Sequence, residues 1–335
     1  MKISKTLTIG LGLALAGCPG DDSSSTDTTT STTDMATGST GEPMTTGMDT
    51  SGDDTAGSES GEPPGACLGT SDMGAAVGDA CTANEDCMSG VCTIYTDVPL
   101  NADAVCAETP ANCGTRVTGT VFDFVTGEPV ESATVIVAAA LQAATNPTGA
   151  MAIVEDTSGA DGRIDATSDM TIVAPLGIVA LSSGAGYYLT STGVASPGPD
   201  MQTYAVGTGI HDLWMVPEDA VADWSDALGM DPEIDAADLP LGAAGGVVGL
   251  VRDSSGNPIA GAVVSSTSDT SMAVVRYLND DGSFNNTETS ELGMFVLLNP
   301  SVPEGFEASV GGMVVGGGTA GSANNVLFTL IINAP

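Results

Sequence analysis

The stretch "GTVFDFVTGEPVESATV" (119–135) returns as "GLVRDSSGNPIAGAVV" (249–264). Gly119 aligns with Gly249, Asp123 with Asp253, Gly127 with Gly256, and Pro129 with Pro258. Ala133 and Val135 align with Ala262 and Val264, with one residue deleted in the second turn. Each copy reads as a strand, a turn and a strand. Alternating apolar residues stop at an Asp, a Gly-x-Pro turn reverses the chain, and a β-branched run comes back. A period of about 130 residues is too long for a solenoid and marks two domains.

More short strands are expected after each motif. In the first half they are "AMAIVED", "GRIDATS", "IVALSS", "YYLTSTG" and "HDLWMV". In the second they are "AVVRYL", "SFNNTE", "GMFVLL", "FEASV" and "NVLFTLIIN". Many short strands with glycine-rich turns argue for sandwiches large enough to build their own cores. Between the halves, "PEDAVADWSDALG" predicts a short helix. Pro217 suits its first position, Gly229 its stop, and Val221, Trp224 and Leu228 fall on one face. An acidic linker, Asp231 to Asp238, follows.

The shared pattern GxV.D..G.P..GA.V resembles the carboxypeptidase regulatory-like domain, a transthyretin-like (prealbumin-like) sandwich of seven strands. The resemblance spans roughly residues 116–335, and the first copy departs from it at Glu131-Ser132. It implies a fold and little about function. The fold class expected is therefore all-β: two tandem seven-stranded prealbumin-like β-sandwiches, 116–216 and 245–335, joined by the helix and acidic linker of 217–244.

Cys67, Cys81, Cys87, Cys92, Cys106 and Cys113 form a compact set in a stretch poor in large apolar residues. An even count in an exported chain points to a disulfide module over 67–113, with 15 pairings open. Zinc is disfavoured because no Cys-x-x-Cys pair exists and the one histidine, His211, is far along the chain. "VGDACTANEDCMSGVC" resembles cysteine-rich modules in secreted proteins of myxobacteria and related Gram-negative bacteria.

The N-terminus carries Lys2 and Lys5, then an apolar run too short to span a bilayer, as in a secretory signal peptide (1–17). Its end, Leu-Ala-Gly-Cys, resembles the lipobox of bacterial lipoproteins and implies lipidation of Cys18. Residues 18–66, rich in Ser, Thr, Asp and Gly, are expected to be the lipidated N-terminus and a disordered stalk. The expected address is the cell envelope, at the outer membrane, with the membrane reached through the lipid.

The chain has 43 acidic and 6 basic residues. Removing the signal leaves Arg116, Arg163, Arg252 and Arg276 as the only cations, a formal charge of −39 and no lysine. This excludes a nucleic-acid partner, because phosphate binding rests on clustered Lys and Arg. Absent lysine also excludes Schiff-base chemistry, and one histidine does not supply a zinc or triad site. His211 is expected to be structural or merely exposed. "GGGTAG" (316–321) matches a dinucleotide pattern but precedes a strand-like run, so a turn is expected there.

No catalytic residue and no required cofactor is identified. Calcium is the one weak metal candidate. Asp161 lies among Asp156 and Asp165, while Asp281, with Asn279, Gly282 and Glu288, falls at EF-hand-like offsets but has Tyr277 at the first ligand position. Asp and Gly are good turn formers, and that plainer reading fits both segments. Asp231, Glu233 and Asp235 read as a solvated face rather than glycosidase acids. Tyr187, Tyr188 and Trp224 are candidates for a glycan-stacking platform. The expected role is a non-enzymatic envelope lipoprotein presenting interaction modules to an envelope protein; carbohydrate binding or adhesion is the alternative.

Overall fold

The structure, a computed structural model, describes residue 67 and residues 71–97, 104–174, 177–195 and 203–335. The signal peptide, Cys18 and the stalk lie outside the described residues. The first half contains β1 (Arg116–Asp123), β2 (Thr134–Ala139), the short helix α1 (Ala140–Thr145), β3 (Val154–Thr157), β4 (Arg163–Thr167), β5 (Ile178–Gly184), β6 (Tyr187–Ala195) and β7 (Gly207–Met215). Helix α2 (Glu218–Leu228) follows. The second half contains β8 (Val247–Arg252), β9 (Ala262–Ser266), β10 (Val274–Leu278), β11 (Phe284–Asn285), β12 (Met294–Leu298), β13 (Glu304–Val310), β14 (Met313–Ala320) and β15 (Leu327–Asn333). The all-β class is thus shown, beside a disulfide-rich module.

The repeated motif does the same work twice. The carboxylate of Asp123 accepts from the amides of Val125 and Thr126, and that of Asp253 from those of Ser255 and Asn257. Gly127 and Gly256 take positive φ, +71° and +84°, as the turn requires.

The duplication also runs deeper than the motif. Gly162 and Gly293 hold equivalent places, with φ of +75° and +65°. A Cβ on Gly162 would lie 2.7 Å from the Val121 carbonyl, and one on Gly293 would lie 2.6 Å from the Val251 carbonyl. Four residues earlier in each copy, the buried hydroxyls of Ser158 and Thr289 accept from the amides of Ala133 and Ala262. They donate to the carbonyls of Val130 and Ile259.

In the first half β1 lies between β4 and β7, and the second layer runs β6-β5-β2-β3. In the second half one layer runs β11-β10-β12-β8-β15 and the other β14-β13-β9. Aligning the copies sets β1 on β8 and β4 on β12, since Gly119 pairs with Ile164 as Gly249 pairs with Phe295. One strand changes partner between the copies: β3 pairs with β2, whereas β10 pairs with β12. β15 runs parallel to β6, with Leu327 beside Thr190 and Phe328 beside Ser191, so one nine-stranded sheet crosses both halves. The buried hydroxyls of Thr192 and Thr329 meet across it at 2.8 Å.

Each half has a core between its layers. Val117, Val121, Ile164, Ile178, Leu213 and Met215 belong to the first, and Val247, Val251, Phe295, Phe306 and Ile332 to the second. A third cluster lies where the halves meet. There α2 buries Val221, Trp224 and Leu228 against Phe124, Trp214, Val248 and Leu250. The apolar face expected of the helix is therefore real, worth about 1.5–3 kcal/mol per large buried side chain. Pro217 sits one place earlier than expected, as the N-cap.

One expectation is corrected. Gly316 to Gly318 lie within strand β14, not in a turn. Cβ atoms there would meet the Asn333 carbonyl, the Phe306 carbonyl and Leu330 at 2.7–2.8 Å, so the glycines let this strand lie close over its neighbours.

The cysteine module is stapled by Cys67–Cys113, Cys81–Cys92 and Cys87–Cys106. It rests on the outer face of the β4-β1-β7 sheet: the Thr118 hydroxyl donates to the Ile94 carbonyl at 2.6 Å, and the Asn84 amide donates to the Gly207 carbonyl. This cover explains why Thr118 and Thr120 are buried on a strand whose other face already fills the core.

Candidate interaction surface

The three glycan candidates do not form a platform. Trp224 is only 8% exposed, packed edge-to-face with Phe124. Tyr187 and Tyr188 are consecutive on β6 and so point to opposite faces. Tyr187 packs on the first core, with its hydroxyl donating to Asp123, and Tyr188 packs on the α2 cluster.

The two calcium candidates are occupied by their own turns. Asp161 accepts from the Arg163 amide at 3.2 Å and pairs with its guanidinium at 3.5 Å. Asp156 accepts from the amides of Thr157 and Asp165, and Asp165 forks onto Arg116. The Asp281 carboxylate accepts the amide and hydroxyl of Ser283, closing the turn between β10 and β11. Tyr277 is buried, its hydroxyl held by Val264. Among the described residues, the cluster with metal-ligand proximity is Cys81, Cys87 and Cys92, and all three sulfurs are in disulfides.

The four arginines act as joints. Arg116 binds Asp165 through two bonds of 2.7 and 2.6 Å. Tyr95 of the cysteine module donates to the same carboxylate, and Arg163 lies 4.7 Å over the Tyr95 ring. Burial pushes the Tyr95 phenol up to about 12, helped by the Asp165 charge. Arg252, from the second half, meets Asp212 of the first at 2.6 Å, with side chains 5% and 3% exposed. Asp212 also accepts the amide of Asp97 from the cysteine module, and Asp97 in turn contacts His211. Three modules therefore meet at one carboxylate.

Burial raises the Asp212 pKa against the opposing pull of Arg252. Arg276 ties β10 to Asp231 at 2.7 Å and Glu233 at 2.9 Å. The Asp231 carboxyl is held below its ordinary range by this bond. These two acids, expected to be merely solvated, are guanidinium partners. Nothing in the sequence pairs Asp212 with Arg252, although the scarcity of cations singled out the arginines.

What remains open to a partner is sheet edge and acidic surface. The hairpin of β3 and β4 is split across the two layers, and a groove of about 220 Å³ opens between them. Glu155, Asp156, Asp165, Thr167, Ser168 and Asp169 line it. β14 ends the other layer of the second half and exposes Met313 and Val314.

No family model matches the chain, and no curated protein matches it. Among solved structures it is similar to the Bacillus anthracis TIE protein, at 10% identity and a TM-score of 0.21, over 66% of this chain and 34% of that one. The shaft pilin SpaA from Lactobacillus rhamnosus GG aligns at 10% identity and a TM-score of 0.19, over 66% of this chain and 98% of that one. The group B streptococcus pilus 2b backbone protein aligns at 14% identity and a TM-score of 0.20, over 36% and 44%. Such scores lie far below those of a shared whole-chain fold, and function is read from the chain's own residues.

Proposed function

We propose that the chain is a non-enzymatic, exported lipoprotein of the bacterial cell envelope, of myxobacterial type, anchored through Cys18. It carries tandem carboxypeptidase regulatory-like sandwiches that serve as interaction modules for another envelope protein. One observation carries this reading: every arginine, and the one histidine, is engaged in an internal contact. After its signal the chain has no lysine, its four arginines are held by its own carboxylates, and the charges left on its outer surface are almost wholly acidic. The disulfides fit an oxidising compartment.

The test is metabolic labelling with a radioactive fatty acid, followed by protease shaving of intact cells with a periplasmic control. Label lost in Cys18→Ser, with the chain fractionating with membranes only in the wild type, is the expected result. A chain that takes no label and is released to the medium overturns the lipoprotein reading.

A further inference from the structure

The two copies differ at one edge, and the difference defines a vacancy. In the second half β12 has β8 on one side and β10 on the other. In the first half its counterpart β4 has β1 on one side and ends the sheet on the other, because β3 has crossed to β2. The outward backbone groups of β4 belong to Arg163, Asp165 and Thr167, since the amides of Asp165 and Arg163 reach Asp156 and Asp161 on that side. Arg163 is satisfied within the turn, its carbonyl accepting from Gly159. The Asp165 carbonyl and both backbone groups of Thr167 face the groove, and among the described residues no strand lies beyond them.

We infer that the free edge of β4 is a docking site for an extended segment of a second protein that bears arginine or lysine and pairs antiparallel as β10 pairs with β12. The inference rests on the reading of the chain as an interaction module, and it names the edge and the partner's chemistry. Residue alignment gives the register. Val296 corresponds to Asp165 and Leu298 to Thr167, so the incoming residues opposite them take the places of Arg276 and Val274. The internal occupant thus carries an arginine, paired there with Val296, at the position that would fall opposite Asp165, whose own carboxylate already holds Arg116 and Tyr95. Glu155, Asp156 and Asp169 add negative charge around it. A second copy does not fit this requirement, because all four of its arginines are engaged and its mature sequence has no lysine.

The probe is a synthetic peptide of residues 273–280, "AVVRYLND", titrated onto the full mature chain and followed by anisotropy and by amide exchange. The expected result is saturable one-to-one binding that slows exchange at Thr167, weakens about tenfold or more when the peptide arginine is replaced by glutamate, and weakens with salt. Thr167→Pro removes an outward N–H that no bond to β1 uses, so it blocks binding and leaves the β4–β1 ladder intact. Should that variant fail to fold, the exposed charge reversals Glu155→Lys and Asp169→Lys serve instead and weaken binding. No saturation up to about 1 mM, binding indifferent to these changes, or protection centred on β14 overturns the inference. Fatty-acid labelling at Cys18 is independent of all these readouts, so failure here is separable from failure of the lipoprotein reading.

Discussion

Replacing Arg252 by Met removes one side of a pair whose side chains are 5% and 3% exposed. The Asp212 carboxylate is then left in the interior with only the Asp97 amide at 3.0 Å. Breaking a buried pair from one side costs about 3–5 kcal/mol. The bond from the Arg252 Nε to Asn333, 2.6 Å, is lost as well, adding about 1 kcal/mol. Urea unfolding of the full mature chain at neutral pH should show a loss of about 4–6 kcal/mol. The double variant Arg252→Met/Asp212→Asn keeps an acceptor for the Asp97 amide and removes the stranded charge, so it should recover most of the loss.

The sign with pH follows from the burial that already raises the Asp212 pKa. With Arg252 gone the folded-state value rises further above the unfolded one. The folded variant then binds a proton more tightly, and its deficit should shrink as pH falls through that raised value toward about 4. A deficit below about 1 kcal/mol that does not vary with pH is what a screened surface pair gives, and it would refute the account of a dry junction.

Gly162→Ala and Gly293→Ala should each cost about 1–3 kcal/mol in urea unfolding, because both add a Cβ at positive φ against a carbonyl; a neutral result at one alone breaks the equivalence of the copies. Trp224→Ala should destabilise by about 3–5 kcal/mol, seen as a lower Tm, with no selective change on a glycan array; intact stability with lost glycan binding would restore the platform. Tyr95 and Tyr187 are both pushed up to about 12, first by burial and then by Asp165 and Asp123. Their stabilising contribution is present below the unfolded value near 10 and is lost as pH rises from about 10 to 12, so alkaline titration should show late phenolate absorbance together with falling stability. Asp231 has the opposite sense: its value is depressed by Arg276, so its contribution holds above about 4 and fades as acid is added; Asp231→Asn should flatten that part of the acid profile.

Most strands were legible because they alternate or run apolar between turn residues; β14 was not, because its glycines read as a turn. What covers the outer faces of β1 and β8 was harder. β8 is buried throughout and β1 at all but Arg116 and Phe122, and sequence alone does not say that a cysteine module covers Thr118 or that Leu250 joins the α2 cluster. The partner switch of β3 was illegible for the same reason: "IVEDT" and "VVRYL" have equal claims to either layer, and only tertiary packing chooses. The turn bonds of Asp161 and Asp281, each to a residue two places on, need only local geometry. The aromatic candidates failed because exposure is set by distant residues. Trp224 falls on the apolar face of its helix, and Phe124, packed edge-to-face on it, helps close it off from solvent.

Strand β15 is the last of the described strands in sequence, yet it lies between β8 and β6 in the sheet that crosses both halves. The edge of β6 therefore waits for residues made more than a hundred positions later. Synthesis from the N-terminus can build most of the first half early, but not close it. Removal of β15 would leave open edges in both halves at once, so its loss should be felt by proteases at β6 as well as at β8. Strand β15 is, in effect, a quality mark for the whole folded block, because both halves are closed only once it is in place.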